Sequence, residues 1–533
     1  STVTGIPEKA EIKPPKLPTL NRISNDNIAK VEMVNPNNVN MNEYPNGFSV
    51  NNVIDGDYST HWTARVFWES NRFIFTFKDD QEYTMDYVAY VPRLESPDYL
   101  ASLSKFSIKA YDKAGNVTLE LKDMSGMVKM EGYAILPFPK TENVHKIEVE
   151  THQWAGSPTG ISMSEIAFYS YSEIDSEIHA LFTDGSFTAV KPTTTEKSIA
   201  ALEAKLDNAD GYFVKKETFK EELSLARSLL NRDTSALGRV IDQVQSRNTR
   251  GDIKPINIFQ PLGLVANAGN GKEFQVYASI PEGETVTLVP TQYYADANEM
   301  SGAGIQLRNG RNVISLPSWT SKDAEKGGAL YLQYAGNRAG EIKLQVRGQV
   351  TQIPMLELSD RSLSEAEKEK RIAAYVEELT AYVNALPTAN RQTAIRNSTE
   401  ISYPNVLLSL PADQVLAGIG GSSSEEKAAN LRNNMLAWEE LISVLYKTHG
   451  IDDPAAEHSR HNIRYMRMFG NAFMYASGSH VGIGYGSASG VAGGRPVSVT
   501  GSGKANSLFG WGIAHEIGHV MDTLGRAEIT NNI

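Results

Sequence analysis

The chain has 533 residues, a net charge of −12 and no cysteine. Its length predicts several domains, and its negative charge argues against a nucleic-acid partner, which usually requires a basic surface. The lack of cysteine excludes disulfides, thiolate metal sites and cysteine nucleophiles, so any metal must be bound by His, Asp or Glu.

Residues 1–22 form a proline-rich leader without a signal-peptide pattern, and no run of about 18 apolar residues occurs in the chain. We therefore expect no transmembrane segment. A leader of this kind is typical of a tether left after removal of a secretion signal, although the start of an expressed fragment would look the same. We expect a secreted protein, or one at the bacterial cell surface or in the periplasm.

Residues 23–172 contain short segments in which apolar and polar residues alternate, such as "NRFIFTF", "DYVAYV" and "HKIEVE". This period is typical of strands, and no helical period interrupts it, so an N-terminal β-sandwich is predicted. Residues 173–250 follow as a linker and helical spacer. Two sets of apolar residues there have helical spacing: Ile199, Leu202 and Leu206, and then Leu237, Val240, Ile241 and Val244.

Residues 251–358 return to strand patterns, including "FQVYASI" and "GGALYLQYA", and predict a second β-sandwich-like domain. Residues 359–533 are expected to form a mostly α zincin domain. A capping box at Ser362 and Glu365 predicts the start of its first helix, and a second helix is expected from about Ser422–Ser424. The glycine-rich passage that follows is interpreted either as a loop or, over Ile483 to Val491, as an edge strand that pairs with substrate.

The closing stretch "HEIGHVMDTLGRAEITNNI" carries the strongest chemical signal. His515 and His519 are four positions apart, so both imidazoles fall on one side of a helix and can reach one zinc ion at roughly 2.0–2.1 Å. Glu516 is placed to take a proton from the attacking water and pass it to the leaving amine. Glu528 is the best third ligand, and Asp522 is either an acceptor that orients an imidazole or a solvated helix residue.

This motif, the eight residues between His519 and Glu528, and "AEITNN" resemble the enhancin-like, family-60 zinc metallopeptidases of mucosal bacteria. The preceding β-rich stretch is similar to the β-domain of that family. The resemblance implies a gluzincin with zinc on His515, His519 and Glu528, Glu516 as general base, and mucin-type glycoproteins with their O-glycans as substrates. Related gluzincins often have Asp where this chain has Asn532. Because the family's catalytic domain continues further, the resemblance implies that the domain is C-terminally truncated here.

The segments "NVIDGDYSTHWTAR", "AYVPRLES" and "SEIAFYS" resemble the discoidin-like family-32 carbohydrate-binding modules. The resemblance implies a structural calcium ion on Asp57, Thr60 and Glu165, although Asp57 and Thr60 can also merely cap a turn. It implies a sugar contact at Arg93. The histidine that usually follows the tryptophan is absent and His61 is the nearby one, while Trp68 offers a stacking face or a core side chain.

The zinc motif and the two resemblances together imply a zinc-dependent endopeptidase that cleaves mucin-type O-glycosylated proteins and is targeted by a sugar-binding module. The alternative is a carbohydrate-binding adhesin with a non-catalytic peptidase-like scaffold. The intact Glu516 favours the first hypothesis, because a scaffold has no need of that carboxylate.

Overall fold

The computed structural model describes residues 14–35, 40–42, 49–63, 72–94, 100, 103–124, 126–153, 162–207, 216–246, 260–269, 272–291, 304–316, 325–448, 450, 460–466, 474–476, 480–496 and 517. Within these ranges the chain is multidomain and mostly β. In the described part of the chain, no helix combines the length and the apolar character that crossing a membrane requires.

The N-terminal β-sandwich contains twelve described strands. They are β1 (Arg22–Ile23), β2 (Ile28–Val34), β3 (Trp62–Thr63), β4 (Arg72–Phe77), β5 (Tyr83–Val91), β6 (Leu103–Tyr111), β7 (Val117–Met124), β8 (Val128–Lys129), β9 (Ala134–Val144), β10 (Lys146–Gln153), β11 (Ser162–Met163) and β12 (Glu165–Tyr169). One sheet has the order β1-β12-β5-β9-β8, the other has the order β2-β4-β10-β6-β7, and β3 pairs with β11. Alternation along β4 sends Phe73, Phe75 and Phe77 into the core between the sheets.

A helical unit follows, with α1 (Glu173–His179), α2 (Glu196–Asp207) and α3 (Lys216–Leu230). Ile199, Leu202 and Leu206 are buried on one face of α2, as their spacing predicts. The prediction of a helix from Leu237 to Val244 was wrong. Within it, Arg239–Ile241 is strand β13, which pairs antiparallel with strand β20 of the next domain, Lys343–Gly348. Gly238 permits this approach, because a Cβ there would lie 2.1 Å from the Val346 carbonyl oxygen.

The second β-domain is made of two sheets. Its further strands are β14 (Gln260–Asn267), β15 (Glu273–Ser279), β16 (Thr287–Pro290), β17 (Ile305–Gln306), β18 (Gly310–Ser315), β19 (Gly327–Gln333), β20 (Lys343–Gly348) and β21 (Val350–Gln352). The orders are β13-β20-β15-β18 and β17-β16-β19-β14-β21. Apolar side chains from both sheets, including Phe274, Val276, Leu330 and Leu332, form its core.

The helical unit and the second β-domain are joined by a buried ion cluster. Arg311 on β18 donates to Glu222 on α3 and, over 2.6 Å, to Asp175 on α1. The hydroxyl of Tyr277 donates to the same Glu222 carboxylate over 2.7 Å. Glu222 is fully buried, so these charge-assisted bonds fix the unit against the domain.

The remaining region contains a mixed six-stranded sheet, so the expectation of a mostly α domain was wrong. Its strands are β22 (Met355–Glu357), β23 (Thr399–Ser402), β24 (Val406–Leu410), β25 (His461–Tyr465), β26 (Met474–Ala476) and β27 (Val481–Ile483), in the order β22-β23-β24-β25-β27-β26. Its helices are α4 (Glu365–Ala385), α5 (Ala412–Ile419), α6 (Ser424–Thr448) and α7 (Ala488–Gly493). The predicted start of α6 is confirmed, whereas the N-cap of α4 is Ser364, not Ser362.

Candidate cation site and candidate active site

A tight loop precedes β3 in the N-terminal sandwich, and hydrogen bonds within the loop define its shape. Asp57 Oδ1 accepts from the Ser59 amide at 2.9 Å and from the Ser59 hydroxyl at 2.6 Å. Thr60 Oγ1 lies 2.5 Å from Asp55 Oδ2 and 2.9 Å from the Asp57 carbonyl oxygen. Gly56 has φ +74°, a left-handed conformation that glycine adopts without strain.

Glu165, the first residue of β12, is fully buried beneath this loop. Its Oε2 accepts from the Gly56 amide at 2.9 Å, and its Oε1 accepts from Asn25 Nδ2 at 3.2 Å. Burial, together with the nearby charge of Asp55, raises the pKa of Glu165 to about 8. Asp55 in the loop and Glu165 beneath it are therefore two carboxylates that repel each other when both are ionised.

Of the three predicted calcium ligands, Thr60 bonds to Asp55 and Glu165 accepts from Gly56, so both contact the same turn, whereas the Asp57 carboxylate accepts from Ser59. The exposed Asp57 side chain caps Ser59, and these hydrogen bonds lower its pKa. Asp55, which the sequence analysis did not name, contacts Thr60, and its charge acts on Glu165. The sequence does place a second acid near Asp57, because Asp55 lies two positions before it in the same turn.

This donor set fits calcium. It consists of the carboxylates of Asp55 and Glu165, the Thr60 hydroxyl and the Asp57 carbonyl, all hard oxygen ligands of the kind that calcium accepts in six- to eight-fold coordination. No cluster of three His, Cys, Asp or Glu side chains exists among the described residues, so backbone and hydroxyl oxygens would complete the shell. A divalent cation here would offset the repulsion between the two carboxylates.

The predicted sugar contacts lie around the β3–β11 pair. His61 directly precedes β3 and is only 8% exposed, and its carbonyl oxygen accepts from Asn52 Nδ2 at 3.1 Å. The Arg93 amide donates to Ser162 Oγ on β11 at 3.3 Å. His61 thus offers little surface to a ligand, whereas Arg93 is half-buried. Trp68 lies outside the described residues.

The predicted zinc site also falls outside the described residues, which include none of His515, Glu516, His519, Asp522, Glu528 or Asn532. The described residue of the motif is Ile517. It has α-helical conformation and is fully buried. Its side chain belongs to the core that also contains Leu408, Ile463 and Trp438, between the mixed sheet and its helices.

Up to residue 496, where its described part ends, the glycine-rich passage before the motif is neither the loop nor the edge strand that was predicted over Ile483 to Val491. It forms β27, a short 3₁₀ turn and helix α7. Helix α7 packs closely on α5, where Gly418 has no side chain: a Cβ there would lie 2.2 Å from the Ser489 carbonyl oxygen on α7. The buried Asn434 on α6 holds the end of α7 by donating to the Val491 and Gly494 carbonyl oxygens at 3.0 and 3.1 Å.

The described part of the mixed sheet has two outer strands, β22 and β26, and β26 is the one next to β27. It pairs antiparallel with β27, whereas β25 and β27 are parallel. The face of this sheet that carries Ser409 packs on the second β-domain. There the Tyr331 hydroxyl donates to Glu400, and Ser409 Oγ donates to the same carboxylate at 2.7 Å. Burial raises the pKa of Glu400 to about 7.

No protein-family model matches the chain, and no curated protein does. Among solved structures, that of the CBM32-1, CBM32-2 and M60 catalytic domains of Clostridium perfringens ZmpB is 22% identical, with a TM-score of 0.47, over 96% of this chain and 50% of that one. The M60 catalytic domain of ZmpC from the same organism, in complex with the sialyl T antigen, is 23% identical, with a TM-score of 0.41, over 55% of each chain. A metallopeptidase from Bacteroides thetaiotaomicron is 15% identical, with a TM-score of 0.46, over 68% of this chain and 55% of that one. The chain spans about half the length of these structures.

Proposed function

We propose that this chain carries a zinc-dependent endopeptidase that hydrolyses the backbone of mucin-type O-glycosylated proteins. The observation that carries the proposal is the His-Glu-x-x-His motif followed by Glu528, centred on Ile517, which is helical and buried in the core of the mixed-sheet domain. The burial of Ile517 supports a motif helix that packs on the core with one side and leaves the opposite side available to a metal ion.

Helix geometry connects this burial to the chemistry. Successive residues of an α-helix are about 100° apart, so the positions two before and two after a buried residue both lie on the opposite face, about 40° from each other. With Ile517 in the core, the proposed helix directs His515 and His519 to one side, away from the core. Such a pair can share one metal ion.

The donor set of two imidazoles and one carboxylate suits a catalytic zinc ion held by His515, His519 and Glu528. When bound, zinc supplies Lewis acidity, which polarises the substrate carbonyl and acidifies water. Glu516 accepts the proton of the attacking water and returns it to the leaving amine. Asp522 and Asn532 are proposed to orient the ligand side chains through hydrogen bonds.

Strand β26 supports the same proposal, because it provides an extended backbone at the end of the sheet in the described part of the chain. Peptides often bind to such strands by forming an additional strand. Met474–Ala476 therefore replaces the predicted Ile483 to Val491 segment as the proposed substrate-pairing strand.

The N-terminal sandwich is proposed to target the enzyme by binding O-glycans, with calcium stabilising the loop at Asp55 and Glu165 and with Arg93 and Trp68 contacting sugar. This role implies a secreted protein, or one at the bacterial cell surface or in the periplasm. The alternative function, an adhesin with a non-catalytic scaffold, would keep the sugar site and have no use for Glu516.

The test is to incubate a mucin-type glycoprotein with the native polypeptide that contains this chain, and with its Glu516→Gln and His519→Ala variants. We expect backbone cleavage by the native protein, about one bound zinc ion in native and Glu516→Gln protein, and loss of turnover in both variants. Zinc bound without cleavage would favour the adhesin. A Glu516→Gln variant that still cleaves would exclude the proposed mechanism.

A further inference from the structure

A cleft of about 660 Å³ lies where the N-terminal sandwich, the helical unit and the second β-domain meet. We call it the module cleft. One of its walls comes from β8, β9 and the turn between them and is largely apolar, with Val128, Met130, Ile135 and Pro137. Its volume falls within the range of about 300–1,000 Å³ typical of sites for small ligands.

The opposite wall is polar, and three of its side chains make no hydrogen bond within the described part of the chain. These are Arg308, Glu273 and His179. Arg308 lies close enough to Asp86 and Asp175 for their charges to act on it. Burial raises the pKa of Glu273, and burial is also the main cause that lowers the pKa of His179. Polar groups that converge on a cleft in this way are free to pair with a ligand.

The charges that line the module cleft are balanced. Four acidic residues, Asp86, Asp175, Glu217 and Glu273, face four basic ones, Lys140, Lys191, Arg308 and Arg311. The net electrostatic attraction of these eight side chains for an anion or a cation is therefore small. A polyhydroxylated ligand suits the site, because each hydroxyl can donate to a carboxylate or accept from a cation.

We propose that the module cleft binds a neutral sugar residue. The apolar face of the ring packs against Met130 and Pro137, and its hydroxyls bond to Arg308 and Glu273. This site is separate from the one predicted at Arg93, and it does not depend on the peptidase. It would give the chain a second glycan contact at the junction of its modules, where a sugar holds those modules together.

Methionine methyl resonances provide a local test in the whole chain. Met130 lines the module cleft, whereas Met163 follows Ser162 on β11. The Ser162 hydroxyl accepts from the Arg93 amide, so Met163 serves as the reporter for the site predicted at Arg93. With methyl-labelled methionine, assigned through Met130→Leu and Met163→Leu, we would titrate N-acetylgalactosamine as the probe. The Met130 signal is expected to shift saturably in the native chain and in Arg93→Ala.

In Arg308→Gln and Glu273→Gln the same shift is expected to require at least about ten-fold more sugar. Unchanged signals from Met355, whose side chain lies against Gly263 of the second β-domain, show that both variants fold. A Met130 signal that does not move in the native chain would overturn the proposal. So would a shift that Arg93→Ala abolishes, or a shift produced by the acidic N-acetylneuraminic acid and not by the neutral sugar.

Discussion

Replacing Glu165 with Gln is expected to stabilise the metal-free N-terminal sandwich at neutral to alkaline pH and to destabilise it when calcium is present. In the metal-free fold the pKa of Glu165 is raised from 4.5 to about 8. Because this pKa is raised, the stability due to the neutral carboxyl is complete below about pH 4.5 and is lost as pH rises to about 8. The difference corresponds to at most about 5 kcal/mol, since each pKa unit is worth about 1.4 kcal/mol.

Hydrogen-exchange mass spectrometry can measure this effect in the whole chain, on peptides that cover residues 50–63 and 162–169. With chelator present, the native protein should lose protection in these peptides between pH 5 and pH 8, and Glu165→Gln should not. Added calcium should restore protection only to the native protein. If protection depends on pH equally in the two proteins, the raised pKa of Glu165 is refuted. If calcium does not change the protection of the native protein, the cation site is refuted.

Two further substitutions test the contacts between domains. Glu222→Ala leaves Arg311 buried without its main partner and is expected to lower the free energy of unfolding by about 3–5 kcal/mol in urea titrations, whereas Lys205→Ala, which removes an exposed pair, should cost less than about 1 kcal/mol. Tyr331→Phe removes a hydroxyl that donates to the buried Glu400 and should cost about 1–3 kcal/mol. If Glu222→Ala behaves like Lys205→Ala, the cluster is not what joins the helical unit to the second β-domain.

The β-sandwich could be predicted from the sequence because strands such as β4, Arg72–Phe77, alternate buried and half-buried residues. The second β-domain was predicted on the same basis from segments such as "GGALYLQYA", although β19, Gly327–Gln333, is buried at every position except its last. The mixed sheet could not be found in this way. Its β24, Val406–Leu410, is buried at every position and sits between two strands, so its sequence shows a short apolar run with no period.

Other differences come from contacts that are remote in sequence. Val240 and Ile241 have spacing compatible with a helix, yet pairing with β20 makes this segment a strand. The glycines around α7 suggested a loop because the sequence does not show that this segment packs closely on α5, where Gly418 leaves room for the Ser489 carbonyl and a Cβ at Gly493 would lie 3.1 Å from the Gly418 carbonyl oxygen. At the cation site, spacing alone did not show whether Asp55 or Asp57 would face Glu165, since that choice depends on the shape of the turn.

The most direct test of the central claim is mass spectrometry of one mucin-type peptide, with and without its O-linked sugar, after incubation with the native polypeptide that contains this chain. Glu516→Gln serves as the control. The account predicts backbone cleavage of the sugar-bearing peptide and no cleavage by the control. If zinc-loaded native protein leaves both peptides intact, or if the control cleaves as well as the native protein, the assignment as a glycoprotein-directed zinc peptidase is contradicted.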